Sequence, residues 1–215
     1  RSGPETPVDS RTHCGIFSPS VTHFFPDGHV VNLHPWEHNE VAPAIGAALA
    51  SGVPVIALHL TRPNVQIPDR EGLGIPSHMS AAKGAYVFRD YKPGQPKMGC
   101  ILLQGTSTTA NIVKLLPKLD AKGLNVKIVA CISPQLFEIQ TQEYPDSVIT
   151  PADRMDSTYI SNRSRRVTWD WKLNPLADDY AMTSDHDDRW RTGGTLEEVI
   201  EEAHLSPEWL LKGIE

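Results

Sequence analysis

Two short apolar segments flank a helical pattern between Gly99 and Pro134. The first segment, 100–103, ends just before Gly105, and the second covers 126–132. Between them, apolar residues recur at helical spacing after a cluster of Ser and Thr residues that favours a helix N-terminus. A strand, a helix and a second strand with short connections predict a βαβ unit with two parallel neighbouring strands. The second half of the chain is therefore predicted to be α/β.

A similar unit lies nearer the N-terminus. Val30–Leu33 is a predicted strand, 35–50 is a predicted helix that ends at Gly52, and 53–60 is a second predicted strand. Two strands and one helix are too few to cover both faces of a parallel sheet. Residues 1–62 are therefore predicted to be the final part of a larger α/β domain.

The remaining residues divide by composition into two regions. Residues 63–98 hold many of the Pro and Gly residues and one strand-like patch, and they are predicted to link two domains. Residues 99–215 are predicted to form the second domain. Its further predicted elements are a helix at 134–142, a strand at 147–150 and a helix that follows a capping box at Thr195.

Charge and composition narrow the classes of partner. The 215 residues carry a net charge of -6, with 40% hydrophobic and 21% charged residues, as is typical of a soluble globular protein. Nucleic acid and membranes are not expected as partners, because binding them requires clustered positive charge and no stretch has the ~18 apolar residues of a membrane span. Three cysteines, without a signal-peptide pattern, favour the cytoplasm. The sequence begins at Arg1 without Met, which indicates a tag remnant, processing or a segment of a longer chain.

Three residues are candidates for contact with a substrate. Arg62 follows the predicted strand 53–60 at its carboxyl end, where ligands bind in open α/β sheets, and its guanidinium can pair with a phosphate or carboxylate. The alternative for Arg62 is a surface salt bridge. Asp9 and His13 lie in a turn-rich loop, where a carboxylate and an imidazole suit contact with substrate hydroxyls or proton transfer. The alternative is a turn capped by Asp9 beside an exposed His13.

Other polar clusters are interpreted as structural. The loop 105–109 precedes a helix as a phosphate-binding loop does, but it has neither a Walker lysine nor a G-x-G-x-x-G pattern, so helix capping is favoured. The acidic residues of 178–188 lack metal-loop spacing, and the histidines show no zinc pattern. Arg163, Arg165 and Arg166 are interpreted as a solvated face rather than an anion site. No complete catalytic set is recognised in the sequence.

Several short motifs resemble those of transketolase, from within its pyrimidine-binding domain to the end of its C-terminal domain. They occur in the family's order, and no single match is distinctive without the others. The matching stretches are 9–13 for D-G-P-T-H, 34–40 for R-P-A-D-x-N-E, 60–62 for L-T-R, 83–87 for K-G-A-Y-V, 101–106 for I-x-A-T-G, and 134–150 for a helix ending in D-x-x-Y before S-V-L-P.

The resemblance implies an enzyme that depends on thiamine diphosphate and Mg²⁺ and moves a two-carbon ketol unit between sugar phosphates, in the pentose phosphate or Calvin pathway. It implies that 1–62 is a partial parallel-sheet segment of the pyrimidine-binding domain, and that 99–215 is a three-layer C-terminal domain of βαβ type. In the family, the residues matching Asp9 and His13 contact the donor's hydroxyls, and the residue matching Arg62 binds the acceptor's phosphate. The family's active site lies between two subunits, so a homo- or hetero-oligomer is implied.

The chain also departs from the family pattern. Ser10 and Arg11 replace a Gly-Pro pair, and His34 replaces an arginine. The glutamate that activates the cofactor, and the domain that binds its diphosphate and Mg²⁺, precede this segment in family members. The segment is therefore expected to be inactive without upstream domains or an N-terminal subunit. Two alternatives stay open: a β-type chain of another thiamine enzyme, and a non-catalytic α/β module for dimerisation or regulation.

Overall fold

The computed structural model describes Gly3 and residues 15–62 and 64–215. Within this part of the chain, a small sheet pairs β1 (Val30–Leu33) with β2 (Val55–Leu58) in parallel. The helix α1 (Val41–Ala50) connects them. It begins later than predicted, because a 3-10 turn at His38–Glu40 precedes it and uses the Glu37 carboxylate to cap the backbone N–H of Asn39. The predicted N-terminal strand–helix–strand unit is confirmed.

A second sheet contains five strands, and all but one of its strand pairs are parallel. Its strand order is β3-β5-β4-β6-β7, and only β3 runs antiparallel to its neighbour. The strands are β3 (Ala85–Arg89), β4 (Cys100–Gln104), β5 (Lys127–Cys131), β6 (Ser157–Ser161) and β7 (Met182–Thr183). The helix α2 (Thr106–Ala121) joins the parallel neighbours β4 and β5. The βαβ unit predicted between Gly99 and Pro134 is therefore confirmed, and β3 comes from the region predicted to be a linker.

Five further helices surround this sheet. They are α3 (Pro134–Glu138), α4 (Glu143–Val148), α5 (Pro151–Met155), α6 (Leu196–Glu202) and α7 (Pro207–Ile214). The described part of the chain contains no helix with the length and apolarity that a membrane crossing requires.

The strand predicted at 147–150 is wrong. Residues 147 and 148 end α4, and Thr150 is the N-cap of α5. Thr150 and Asp153 form a reciprocal capping box, and Pro151 occupies the first helical turn. The apolar pair Val148 and Ile149 is buried against the core without joining the sheet, and the next strand is β6.

The large sheet is buried on both faces. Ile101 and Leu103 of β4 pack in a cluster shared with α2, α7 and the small sheet, whereas Cys100 and Leu102 face a second cluster with Phe137. Since successive residues of a strand point to opposite faces, β4 lies between two apolar layers. The predicted α/β, three-layer architecture is confirmed.

The two sheets meet where β1 and β5 end. The backbone N–H of His34, the residue after β1, donates to the carbonyl of Ile132, the residue after β5, at 2.7 Å. Two residues earlier, in β1, the backbone N–H of Asn32 donates to Oε1 of Gln135 in α3 at 2.9 Å. These bonds bring residues at the carboxyl ends of both sheets into one buried region.

Candidate functional site

Of the three predicted substrate contacts, the structure describes one. Arg62 lies shortly after Leu58, the last residue of β2, and its side chain is exposed. It is four residues beyond the carboxyl end of the strand, and its role as a substrate contact stays a prediction. Asp9 and His13 lie outside the described residues, so their roles stay predictions.

A buried polar cluster occupies the carboxyl ends of β1 and β2. The imidazole rings of His34 and His59 stack with centroids 4.4 Å apart. Nε2 of His59 lies 3.0 Å from Oδ1 of Asn32, and because an amide oxygen only accepts, the imidazole donates this bond. The same Asn32 oxygen accepts from the hydroxyl of Thr22 at 2.8 Å. All three cluster members from the sheet, Asn32, His34 and His59, are at most 9% exposed.

The large sheet contributes Arg163 to this region. Arg163 follows β6, is 2% exposed, and donates from its guanidinium to Oε1 of Gln104, the last residue of β4, at 2.9 Å. The interpretation of Arg163 as part of a solvated face is therefore wrong. Only Arg165 and Arg166 fit that interpretation, and both approach the exposed Asp188. The rule that singled out Arg62, a position beyond the carboxyl end of a strand, would also have found Arg163.

Burial and the nearby guanidinium keep both histidines neutral. Burial, together with the smaller effect of the positive charge of Arg163, lowers the pKa of His59 to about 3. The same two causes, burial first, hold the pKa of His34 well below its usual value. At neutral pH the cluster thus contains a guanidinium beside two uncharged imidazoles.

This cluster predicts an acid-sensitive fold. An unfolded histidine takes up a proton below about pH 6.5, whereas His59 in the folded chain does so only near pH 3. Above pH 6.5 the two histidines therefore do not lower the free energy of unfolding. Below that pH it falls by about 1.4 kcal/mol per pH unit for each histidine. Urea unfolding at pH 7.5, 6, 5 and 4 is expected to show a shallower decline in His59→Gln, whose amide can still donate to Asn32. Parallel declines in the two proteins would contradict this account.

The arrangement is suited to binding an anion. Arg62, which follows the small sheet, is exposed, and a guanidinium offers a planar pair of donors to a phosphate or carboxylate. Arg163, which follows the large sheet, is buried and donates to Gln104 instead. Among the described residues, no group of three or more His, Cys, Asp or Glu side chains is placed to hold a metal ion.

The chain is similar in sequence to part of several transketolases. No protein-family model matches the chain. The transketolase of Geobacillus stearothermophilus is 34% identical over 120 residues, which cover 56% of this chain and 17% of that protein. Transketolase 1 of Pasteurella multocida is 29% identical over 144 residues, which cover 66% of this chain and 20% of that protein. The resemblance to transketolase that the sequence motifs indicate is confirmed.

Solved structures extend the likeness to nearly the whole chain. A transketolase of Pichia stipitis in complex with sedoheptulose 7-phosphate superposes with a TM-score of 0.71 at 20% identity, covering 99% of this chain and 29% of that one. A transketolase of Leishmania mexicana gives a TM-score of 0.72 at 16% identity, covering 98% of this chain and 28% of that one. The fold is thus that of part of a transketolase, and the chain spans less than a third of the length of these relatives.

Proposed function

We propose that this chain, which resembles transketolases in sequence and in fold, is the C-terminal section of a thiamine-diphosphate-dependent transferase that moves a two-carbon ketol unit between sugar phosphates. The observation that carries the proposal is the position of Arg62 beyond the carboxyl end of β2. A guanidinium at this edge of a parallel sheet can bind a phosphate through two charge-assisted hydrogen bonds. The sugar phosphate bound to the Pichia stipitis relative supports this substrate class.

Each candidate residue has one role in the proposal. Arg62 binds the phosphate of the acceptor and fixes the distance of its aldehyde from the reacting centre. Asp9 and His13 bind hydroxyl groups of the donor sugar, as the family resemblance implies. The neutral imidazoles of His34 and His59 add no positive charge at the carboxyl ends of β1 and β2, so they do not compete with Arg62 for the phosphate.

The cofactors and partners follow from the same proposal. Thiamine diphosphate, when bound, would supply a nucleophilic carbon, and we assign it and Mg²⁺ to protein sections outside these 215 residues. Those sections belong to the same polypeptide or to a partner subunit, in a cytoplasmic homo- or hetero-oligomer. The division into 1–62, 63–98 and 99–215 is part of this proposal.

The role of Arg62 can be tested by comparing two acceptors. In the protein assembled with its cofactor-binding sections, Arg62→Ala is expected to lower kcat/KM for a phosphorylated aldose about 100-fold, because a charge-assisted bond contributes roughly 1.5–3 kcal/mol. For glycolaldehyde, which carries no phosphate, kcat/KM should change little. Steady-state ketol transfer measured with both acceptors provides the comparison.

A matched control and two contrary outcomes complete the test. Arg166→Ala removes an exposed guanidinium that approaches Asp188, so it should leave both rates unchanged. An equal loss with both acceptors would show that Arg62 supports the fold rather than the phosphate. An assembled protein without ketol transfer would favour the non-catalytic module.

A further inference from the structure

A cavity of about 880 Å³ lies between the segment that follows Arg62, the start of α2, and the helices α6 and α7. Its volume is within the range of small-molecule sites, which is roughly 300–1,000 Å³. Thr61 and Asn64 form part of one wall, and α2 forms the opposite one. The lining combines three kinds of surface, each of which selects for a different part of a ligand.

The first surface is the N-terminus of α2. Ser107, in the first turn of this 16-residue helix, lines the cavity and is 7% exposed. Among the described residues, its Oγ has no hydrogen-bond partner. The N-cap is Gly105, which has no side chain to accept from the first backbone N–H groups. A buried hydroxyl without a partner, at the positive end of a helix dipole, favours a negatively charged acceptor such as a carboxylate.

The second surface is apolar. Val113 of α2 and Leu196 and Ile200 of α6 line the cavity, together with Val65 and Trp36. Leu196 and Val113 are only partly buried by the core against which they pack. An apolar body in the cavity would remove this surface from water, and such burial contributes about 25 cal/mol per Å².

The third surface is acidic. The cavity is lined by four exposed glutamates, Glu197, Glu198, Glu201 and Glu208. Lys114 also lines it and donates to Oδ1 of Asn111. Nε1 of Trp209 donates to Oε1 of Glu201 at 2.7 Å, which favours the charged form of this carboxylate. Such a rim attracts a single ammonium group and repels a doubly charged phosphate.

We propose that this cavity binds a small zwitterion with an apolar body, the chemistry of a hydrophobic α-amino acid. Its carboxylate accepts a hydrogen bond from Oγ of Ser107 at the start of α2, its apolar side chain lies against Val113 and Ile200, and its ammonium group faces the glutamates of α6 and α7. This site is separate from the proposed phosphate contact of Arg62 and does not depend on it.

Three probes that share one phenyl body test the proposal by calorimetry on the full chain. L-Phenylalanine carries both charges, 3-phenylpropionate lacks the ammonium, and phenethylamine lacks the carboxylate. L-Phenylalanine is expected to bind about tenfold more tightly than phenethylamine, since a hydrogen bond to a charged group is lost, and about threefold more tightly than 3-phenylpropionate, since the acidic rim is exposed.

Two variants and a matched control locate the binding. Ser107→Ala should weaken the binding of L-phenylalanine about tenfold and leave the binding of phenethylamine unchanged. Ala110→Phe places a ring inside the cavity and should abolish binding of all three probes, whereas Ala121→Phe, on the same helix but away from the cavity, should not. The proposal is overturned if L-phenylalanine fails to bind at millimolar concentration, if binding survives in Ala110→Phe, or if Ser107→Ala weakens phenethylamine equally.

Discussion

Replacing Arg70 with methionine is expected to lower the free energy of unfolding by about 3–5 kcal/mol. Its guanidinium donates to Oε1 of Glu37 at 3.1 Å and to Oε1 of Glu40 at 2.8 Å, and both carboxylates are fully buried. The phenol of Tyr86 also donates to Glu40, at 2.6 Å. Burial raises the pKa of Glu40 in spite of these bonds, which shows how costly its charge is. Methionine keeps the apolar stem and leaves two carboxylates buried without their cation.

The measurement is urea unfolding at pH 7, with an exposed pair as control. Arg189→Met breaks an ion pair with Asp187 in which the arginine side chain is 72% exposed, so it should cost at most about 1 kcal/mol. Adding Glu37→Gln to Arg70→Met should recover part of the loss, because one uncompensated charge is removed. If Arg70→Met lowered the free energy of unfolding no more than the control does, the buried ion pairs would not be what holds the segment after β2 against α1.

Gly84→Ala is expected to destabilise the chain by a similar amount, for a steric reason. Gly84 has a φ of 84°, and a Cβ built there would lie 2.3 Å from the backbone N of Phe137 and 2.5 Å from the carbonyl oxygen of Ser133. Neither backbone atom can rotate away as a side chain can. The backbone conformation costs about 1–2 kcal/mol and the overlap adds about 1–3 kcal/mol.

A second glycine separates these two contributions. Gly52 has a φ of 72°, and a Cβ there would meet nothing within 4 Å, so Gly52→Ala carries the conformational cost alone. Thermal or urea unfolding of both variants should therefore show the larger loss for Gly84→Ala. Equal losses would mean that α3 shifts to make room, and that the contact between Gly84 and α3 is not rigid.

The elements that the sequence predicted well are those specified by local pattern. The strand at Val30–Leu33 and the βαβ unit around α2 follow from apolar spacing and helix-ending glycines, and both appear in the fold. The strand predicted at 147–150 rests on the apolar pair Val148 and Ile149, whereas the capping box that starts at Thr150 begins a helix. In this stretch the helix-start signal at Thr150 is stronger than the strand signal of the apolar pair.

The buried cluster depends on how strands pair, which no single segment of the sequence specifies. Leu33 pairs with Leu58 in the parallel register of β1 and β2, and this register places the next residues, His34 and His59, side by side. Neither histidine stands out in its own segment. The burial of Arg163 also depends on strand pairing, because it results from the adjacent position of β4 and β6 in the sheet.

The small sheet has one further consequence for how this chain joins other protein. All four residues of β1 are buried, whereas all four residues of β2 are only half-buried. Among the described residues, β2 pairs with β1 alone, so one line of its main-chain donors and acceptors faces away from any described strand. Such an edge is a template on which an incoming strand can extend the ladder without any particular side chain. Assembly at this edge would thus be specified by backbone geometry more than by sequence.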